Sequence, residues 1–340
     1  MAFRGILGQD RALAMVQRTL AKGRIPQAYL FSGPSGVGKR LTAMTLAKAL
    51  NCLAPVEGDS CDGCQPCRKI EKGNHPDVRE IGPEGASIKI DQIRELEEDI
   101  AKRPYEGKRK VYIFDQAERM GLEAANAFLK TLEEPPGNAV LILVTVNPEA
   151  LLPTIRSRCQ EVRFRPLSVE IVTSCLERMR GLEREKAWLL ASMSGGSLDR
   201  ALGIREDSLL WDRDPMKLRV FSALRSGDDA LLEAADILAK DREKLRELIE
   251  GLLVWCRDLI VYQQTSKGSL LWNRAREAYI HEEVRVLPPG AGARLYYAVK
   301  NALEALEGNA NPRLTAEVML LEMREVLSGS RAGKVGVRNG

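Results

Sequence analysis

Apolar and polar positions follow two different rhythms along this 340-residue chain, and the rhythm changes near residue 166. Before it, short apolar runs stand apart at Ala28 to Ser32, Val78 to Ile81, Val111 to Phe114 and Val140 to Val146, with a shorter one at Val162 to Phe164. Short apolar runs bounded by turn residues read as buried strands. Between them, Arg40 to Leu50, Ile90 to Ala101 and Leu122 to Leu132 carry helical spacing, the last stopped by Pro135 and Pro136, because proline cannot continue a helix. Strands separated by helices predict a parallel sheet covered on both faces.

Beyond Pro166 the strand-like runs cease. Helical patterns follow one another, as at Glu170 to Arg180 and Leu231 to Asp258, interrupted at Ser194 to Ser197 and again at Pro288 to Gly292. The pattern predicts an α/β domain over 1–166, a small helical domain over 167–207 and a larger all-α domain over 208–328. The tail 329–340, rich in glycine, arginine and lysine, is predicted to be disordered.

The glycine-rich stretch Gly33-Pro-Ser-Gly-Val-Gly-Lys39 follows the first strand and opens the first helix of this pattern. In that setting Gly33, Gly36 and Gly38 let main-chain N–H groups close round a phosphate, and Lys39 reaches the outer phosphates. The next residue of such a loop carries the hydroxyl that holds Mg²⁺. Here it is Arg40. Thr42 cannot replace it, since two residues further along a helix lie roughly 200° round the axis. The run Val111-Tyr-Ile-Phe-Asp115 places an acid, Asp115, at the end of a strand, as a metal-facing carboxylate requires. Gln116 follows where a water-orienting acid is needed, and an amide cannot accept that proton. Glu118, three positions on from Asp115, reads as a solvated acid at a helix start. The two defects predict a site that does not turn over ATP; whether nucleotide still binds in cis is left open.

Seven cysteines in a chain with no apolar run near the ~18 residues of a membrane span, and no signal-peptide pattern at its start, point to cytosolic thiols or metal ligands. Cys52, Cys61, Cys64 and Cys67 cluster as C-x8-C-x2-C-x2-C. Four soft ligands at this spacing suit one structural Zn²⁺ with no open position. His75 is the rival fourth ligand; Cys159, Cys175 and Cys256 are isolated and read as core. A net charge of +4 and a pI of 8.6 permit contact with nucleic acid without arguing for it.

Four features occur in a fixed order: the phosphate loop, the cysteine module, Leu129-Lys-Thr-Leu-Glu-Glu-Pro-Pro136 and Ser157-Arg-Cys159. In this order they resemble the bacterial clamp-loader subunits of DNA polymerase III. The likeness spans roughly residues 3–205 and continues more weakly through Asn311-Pro-Arg-Leu. The resemblance implies an AAA+ domain with a Rossmann-like sheet and zinc module, a lid over 167–207 and a collar over 208–328. It also implies a five-subunit ring with gamma or tau and delta partners, which loads a sliding clamp on primer–template DNA within the nucleotidyltransferase holoenzyme. In that family the arginine of Ser-Arg-Cys, here Arg158, is a finger that enters the ATP site of the adjacent subunit. A guanidinium is always charged and forks onto phosphate oxygens. Arg40, Gln116 and Asp199, the last standing where motor subunits carry arginine, favour the non-hydrolysing delta-prime branch, while Arg200, one place off, keeps a sensor role open. An ATP-hydrolysing gamma/tau-type motor and a zinc-containing nucleic-acid-binding module are the alternatives.

Overall fold

The structure is a computed structural model that describes residues 2–135, 138–204, 220, 223–224 and 226–328. The expected disordered tail, Pro136 and the boundary near residue 207 lie outside the described residues. Two compact units divide the chain: Met1–Cys175 with Ser194–Ala201, and Leu176–Met193 with Leu202–Gly340.

Five parallel strands form the sheet of the first unit: β1 (Ala28–Ser32), β2 (Val78–Ile81), β3 (Lys110–Phe114), β4 (Ala139–Thr145) and β5 (Gln160–Arg163). Their spatial order is β2-β3-β4-β1-β5. Every residue of β1, β3 and β4 is buried. The side-chain alternation of an extended chain therefore divides them between two cores. Tyr29, Phe31, Val111, Ile113, Val140 and Ile142 pack on one face with Val16 of α1 (Asp10–Ala21) and Leu46 of α2 (Lys39–Asn51). Leu30, Tyr112, Phe114, Leu141 and Leu143 pack on the other with Leu96 of α4 (Ile90–Ile100) and Phe128 of α5 (Leu122–Glu133). A short helix, α3 (Gln65–Glu71), forms inside the cysteine module, where the spacing alone suggested only tight turns. A single helical turn, α6 (Pro153–Arg156), leads into β5. Two further helices, α7 (Val169–Arg180) and α8 (Arg184–Met193), precede α9 (Leu198–Gly203).

The second unit is helical: α10 (Asp228–Leu238), α11 (Arg242–Thr265), α12 (Glu277–Val286), α13 (Ala291–Glu307) and α14 (Pro312–Leu327) surround a core containing Trp255, Leu259, Leu295, Val299, Met319 and Met323. The apolar pattern over Leu231 to Asp258 predicted one helix; two form. Asp241 interrupts it, accepting the N–H groups of Glu243 at 3.1 Å and Lys244 at 3.2 Å and so capping a new helix. Asp258, fully buried on α11, accepts from the main-chain N–H of Trp272 (2.9 Å) and Asn273 (2.8 Å), from Asn273 Nδ2 (3.2 Å) and from Arg257 Nη1 (2.7 Å). Removing the carboxylate leaves buried donors unpaired. Asp258→Ala is expected to destabilise this unit by about 3 kcal/mol, read as a shift in its urea midpoint. A change under about 1 kcal/mol, the scale of an ordinary exposed hydrogen bond, would show the cage to be solvated. Among the described residues no helix is long and apolar enough to cross a membrane.

Candidate functional site

The loop between β1 and α2 is shaped by close approaches that only glycine permits. A Cβ on Gly33 would lie 2.5 Å from the Phe164 carbonyl oxygen. A Cβ on Gly36 (φ +66°) would lie 2.6 Å from both Asp199 N and Ser197 Oγ. Gly38 caps α2 in the left-handed region, at φ 97°. Leu198 N–H donates to the Gly36 carbonyl at 3.0 Å, so the turn before α9 sits directly on the loop. Gln9 holds the loop from behind. Its Nε2 donates to the carbonyls of Val37 (3.2 Å) and Arg165 (2.7 Å), and its Oε1 accepts from Arg165 N–H (3.1 Å). Nothing in the sequence pattern marked Gln9.

Lys39 is buried, and its ammonium donates to the loop's own carbonyls, Gly33 O at 2.6 Å and Pro34 O. Burial lowers its pKa, opposed by the charges of Glu118, Asp115 and Asp199. Arg40 lies at the solvent-exposed edge and forks onto Glu80 at the end of β2, with Nη2 to Oε2 at 2.6 Å. That pairing raises its pKa. Burial raises the pKa of Asp115, reinforced by Glu80 and opposed by the Gln116 N–H and the Arg40 charge. A monovalent cation paired with Glu80 therefore occupies the chain position at which such loops carry the Mg²⁺ hydroxyl, and its charge acts on Asp115. Gln116 is exposed and holds a left-handed backbone, φ 52°, the kind of strain that collects at functional turns. Glu118 departs from its expected place in solvent. Its Oε2 is buried and meets no hydrogen-bond partner among the described residues, and it exerts the largest charge effect on Lys39.

The four cysteines converge. Cys52 closes the end of α2, Cys61 lies in the following loop, Cys64 caps α3 and Cys67 lies within it. Their sulfurs all lie within 4.8 Å of one another, Cys52 and Cys64 at 3.9 Å. A tetrahedral site with metal–sulfur bonds of about 2.3 Å has sulfur–sulfur edges of roughly 3.8 Å. The donor set fits a thiophilic metal ion. N–H groups of Cys61 (to Cys52 Sγ, 3.4 Å) and Cys64 (to Cys61 Sγ, 3.3 Å) face the sulfurs. Burial opposes ionisation of Cys64, but N–H groups of Leu53 and Cys67 outweigh it and hold the thiol at about 6. His75 stands apart from this set: it is buried, and its Nδ1 accepts the Asp77 N–H at 3.1 Å. Three of the module's acids are held by partners. Asp59 accepts Phe3 N–H at 3.0 Å, and Asp62 pairs at 3.2 Å with buried Lys48, which also holds Glu71 at 2.9 Å.

Ser157, Arg158 and Cys159 follow α6, each with a separate task. Ser157 Oγ (3.1 Å) and Arg158 Nη1 (3.0 Å) both donate to the Thr154 carbonyl, and Arg158 Nη2 donates to Glu133 at 2.6 Å. Cys159 packs against the α4–α5 face of the sheet, and burial pushes its thiol up to about 12. Arg158 remains about a third exposed, with a side-chain accessibility of 36%. Arg156 pairs instead with Glu149.

A family model described as "DNA polymerase III, delta subunit" matches residues 8–168. DNA polymerase III subunit delta' of Bacillus subtilis is 30% identical over 323 residues, covering 93% of this chain and 96% of that protein. The chain belongs to the clamp-loader subunit family of DNA polymerase III. DNA polymerase III subunit tau of Salmonella typhimurium is 32% identical over 317 residues, covering 87% of this chain and 49% of tau, so the clamp-loader chain spans about half the length of that relative. Among solved structures, a gamma subunit-related protein from Thermotoga maritima aligns at 21% identity and a TM-score of 0.41 over 92% of this chain and 99% of its own. In this clamp-loader subunit the phosphate loop, the Asp115 strand end and the turn before α9 form one site, while Arg158 stands on a separate element of the same unit.

Proposed function

We propose that this chain is the delta-prime-type subunit of its clamp loader. In this role it does not hydrolyse ATP itself, and it completes the ATP site of a neighbouring subunit with Arg158. The observation that carries the reading is the Arg40–Glu80 pair beside Asp115. It puts a fixed cation where magnesium chemistry needs a hydroxyl ligand, and Gln116 next to Asp115 supplies no base. Asp199, close enough to act on Lys39 by its charge, adds a second negative group where the transferred phosphoryl would need positive ones.

The wider reading follows the resemblance. Residues 1–166 form the AAA+ domain, 167–207 the lid and 208–328 the collar of a hetero-pentameric ring with gamma or tau and delta subunits. The cysteine set holds one structural Zn²⁺. The assembly places a sliding clamp on primer–template DNA during replication. One observation favours the motor reading instead: Glu118, with its buried oxygen and its charge effect on Lys39, stands near enough to serve as an acid of the site.

Turnover by the isolated chain separates the two. Magnesium-dependent ATP hydrolysis is expected to be indistinguishable between the native protein and Lys39→Ala. Steady hydrolysis that is lost in both Lys39→Ala and Glu118→Gln would establish the motor reading and remove this one.

A further inference from the structure

Arg158 is held by two acceptors that both belong to well-rooted elements. Glu133 is the last residue of α5, whose Ala124, Ala125, Phe128 and Leu132 are buried against the sheet. Thr154 belongs to α6, whose Ile155 is wholly buried in the same core. The guanidinium carries five N–H groups. One on Nη2 goes to Glu133 at 2.6 Å and one on Nη1 goes to the Thr154 carbonyl at 3.0 Å. Among the described residues the other three meet no acceptor. The Glu133 and Arg158 side chains are 52% and 36% accessible, so the pair lies at the surface. Arg158 also sits where the negative end of α5 lies, and that end attracts a cation in addition to the carboxylate.

An unanchored arginine samples many rotamers, and fixing it costs entropy each time it must meet a phosphate. A guanidinium whose plane is set by two acceptors meets the phosphate already oriented. We infer that Glu133 is the positioning residue for Arg158: it fixes the guanidinium through one edge and leaves the remaining donors free to fork onto the neighbour's phosphate oxygens. This rests on Arg158 acting in trans, as proposed above. It assigns a task to the first glutamate of Leu-Glu-Glu-Pro that the sequence pattern left without one.

The test uses the complex reconstituted with its partner subunits. The partners' other ATP sites are silenced by substitution of their phosphate-loop lysines, so that only the site facing Arg158 turns over. Glu133→Gln keeps the shape and removes the charge. It is expected to lower kcat at that site about tenfold, within the range that small misplacements of catalytic groups produce. KM for ATP and the melting temperature of the isolated chain are expected to stay unchanged. Glu133→Asp, charged but shorter, is expected to fall between. Glu133→Gln combined with Arg158→Ala is expected to be no worse than Arg158→Ala alone, because the carboxylate acts only through the arginine. Native kcat in Glu133→Gln, with kcat depressed in Arg158→Ala, would leave the finger standing and overturn the positioning role. A rise in kcat would make Glu133 a restraint and overturn it too. Native kcat in Arg158→Ala would remove the trans reading itself, and with it this inference.

Discussion

On the trans role proposed above, Arg158→Ala is expected to reduce ATP hydrolysis on the order of 10³-fold at the neighbouring site, the scale of trans-acting arginines in other phosphoryl-transfer enzymes. The loss belongs to the transition state, where charge spreads over the transferred phosphoryl oxygens, so KM changes little while kcat falls. The chain itself should remain folded and assembled. Arg158 is partly exposed and its pair with Glu133 lies at the surface, and exposed pairs contribute ~0–1 kcal/mol. Arg158→Lys is expected to recover little activity, because an ammonium cannot fork onto two oxygens while keeping the Thr154 and Glu133 contacts. Arg156→Ala is the control, since Arg156 is engaged by Glu149 two residues away in sequence from the finger. Single-turnover hydrolysis in the complex with the other sites silenced reads this directly, and clamp loading on primed DNA should slow in parallel. Native turnover by Arg158→Ala would make the arginine a surface charge.

Removal of the zinc proposed for the four-cysteine set is expected to unfold the cysteine module while the sheet stays intact. Zinc held by a preformed set of thiolates contributes roughly 10 kcal/mol or more, and that binding energy is folding energy for the segment around it. Cys52, Cys61, Cys64 and Cys67 surround little apolar material of their own: within the segment 52–71 only Cys52, Ser60, Pro66, Cys67 and Ile70 are buried. The ties that remain after metal loss are Ile70, packed in the core with Leu46 and Leu50, and the polar contacts of Lys48 to Asp62 and Glu71 and of Phe3 N–H to Asp59. Elemental analysis is expected to find one zinc per native chain, none in Cys67→Ala and a full complement in His75→Ala. Chelation should release hydrogen-exchange protection over 52–71 and leave β1, β3 and β4 protected. Zinc lost from His75→Ala but retained by Cys52→Ala would replace the four-cysteine site with a three-cysteine one.

Several parts of this molecule could be read before any fold was known. The three central strands could be placed because burial on both faces demands unbroken apolar runs, as in Val111 to Phe114 and Val140 to Val146. The phosphate loop could be placed because its turn needs positive backbone torsions that favour glycine at Gly33, Gly36 and Gly38. The cysteine set could be named because C-x2-C turns bring sulfurs together over a few residues. Each of these is a local constraint, written into neighbouring residues by sterics or by ligand geometry.

Pairings between distant residues carried no such mark. Arg40 stands 40 residues from Glu80, Lys48 stands 14 from Asp62, and Arg158 stands 25 from Glu133. Charge is too common along the chain for any of these partners to be singled out by spacing. Glu118 was read as solvated because a lone acid at a helix start is ordinarily so, whereas its Oε2 is buried in the folded chain. The break at Asp241 falls in the charged run Lys240 to Lys244 and was not marked, since a side chain that captures two N–H groups can start a new helix without any glycine or proline to announce it. Local chemistry settles which elements form. Which charges meet depends on chain closure over tens of residues, and that is set by how the two faces of the sheet are covered.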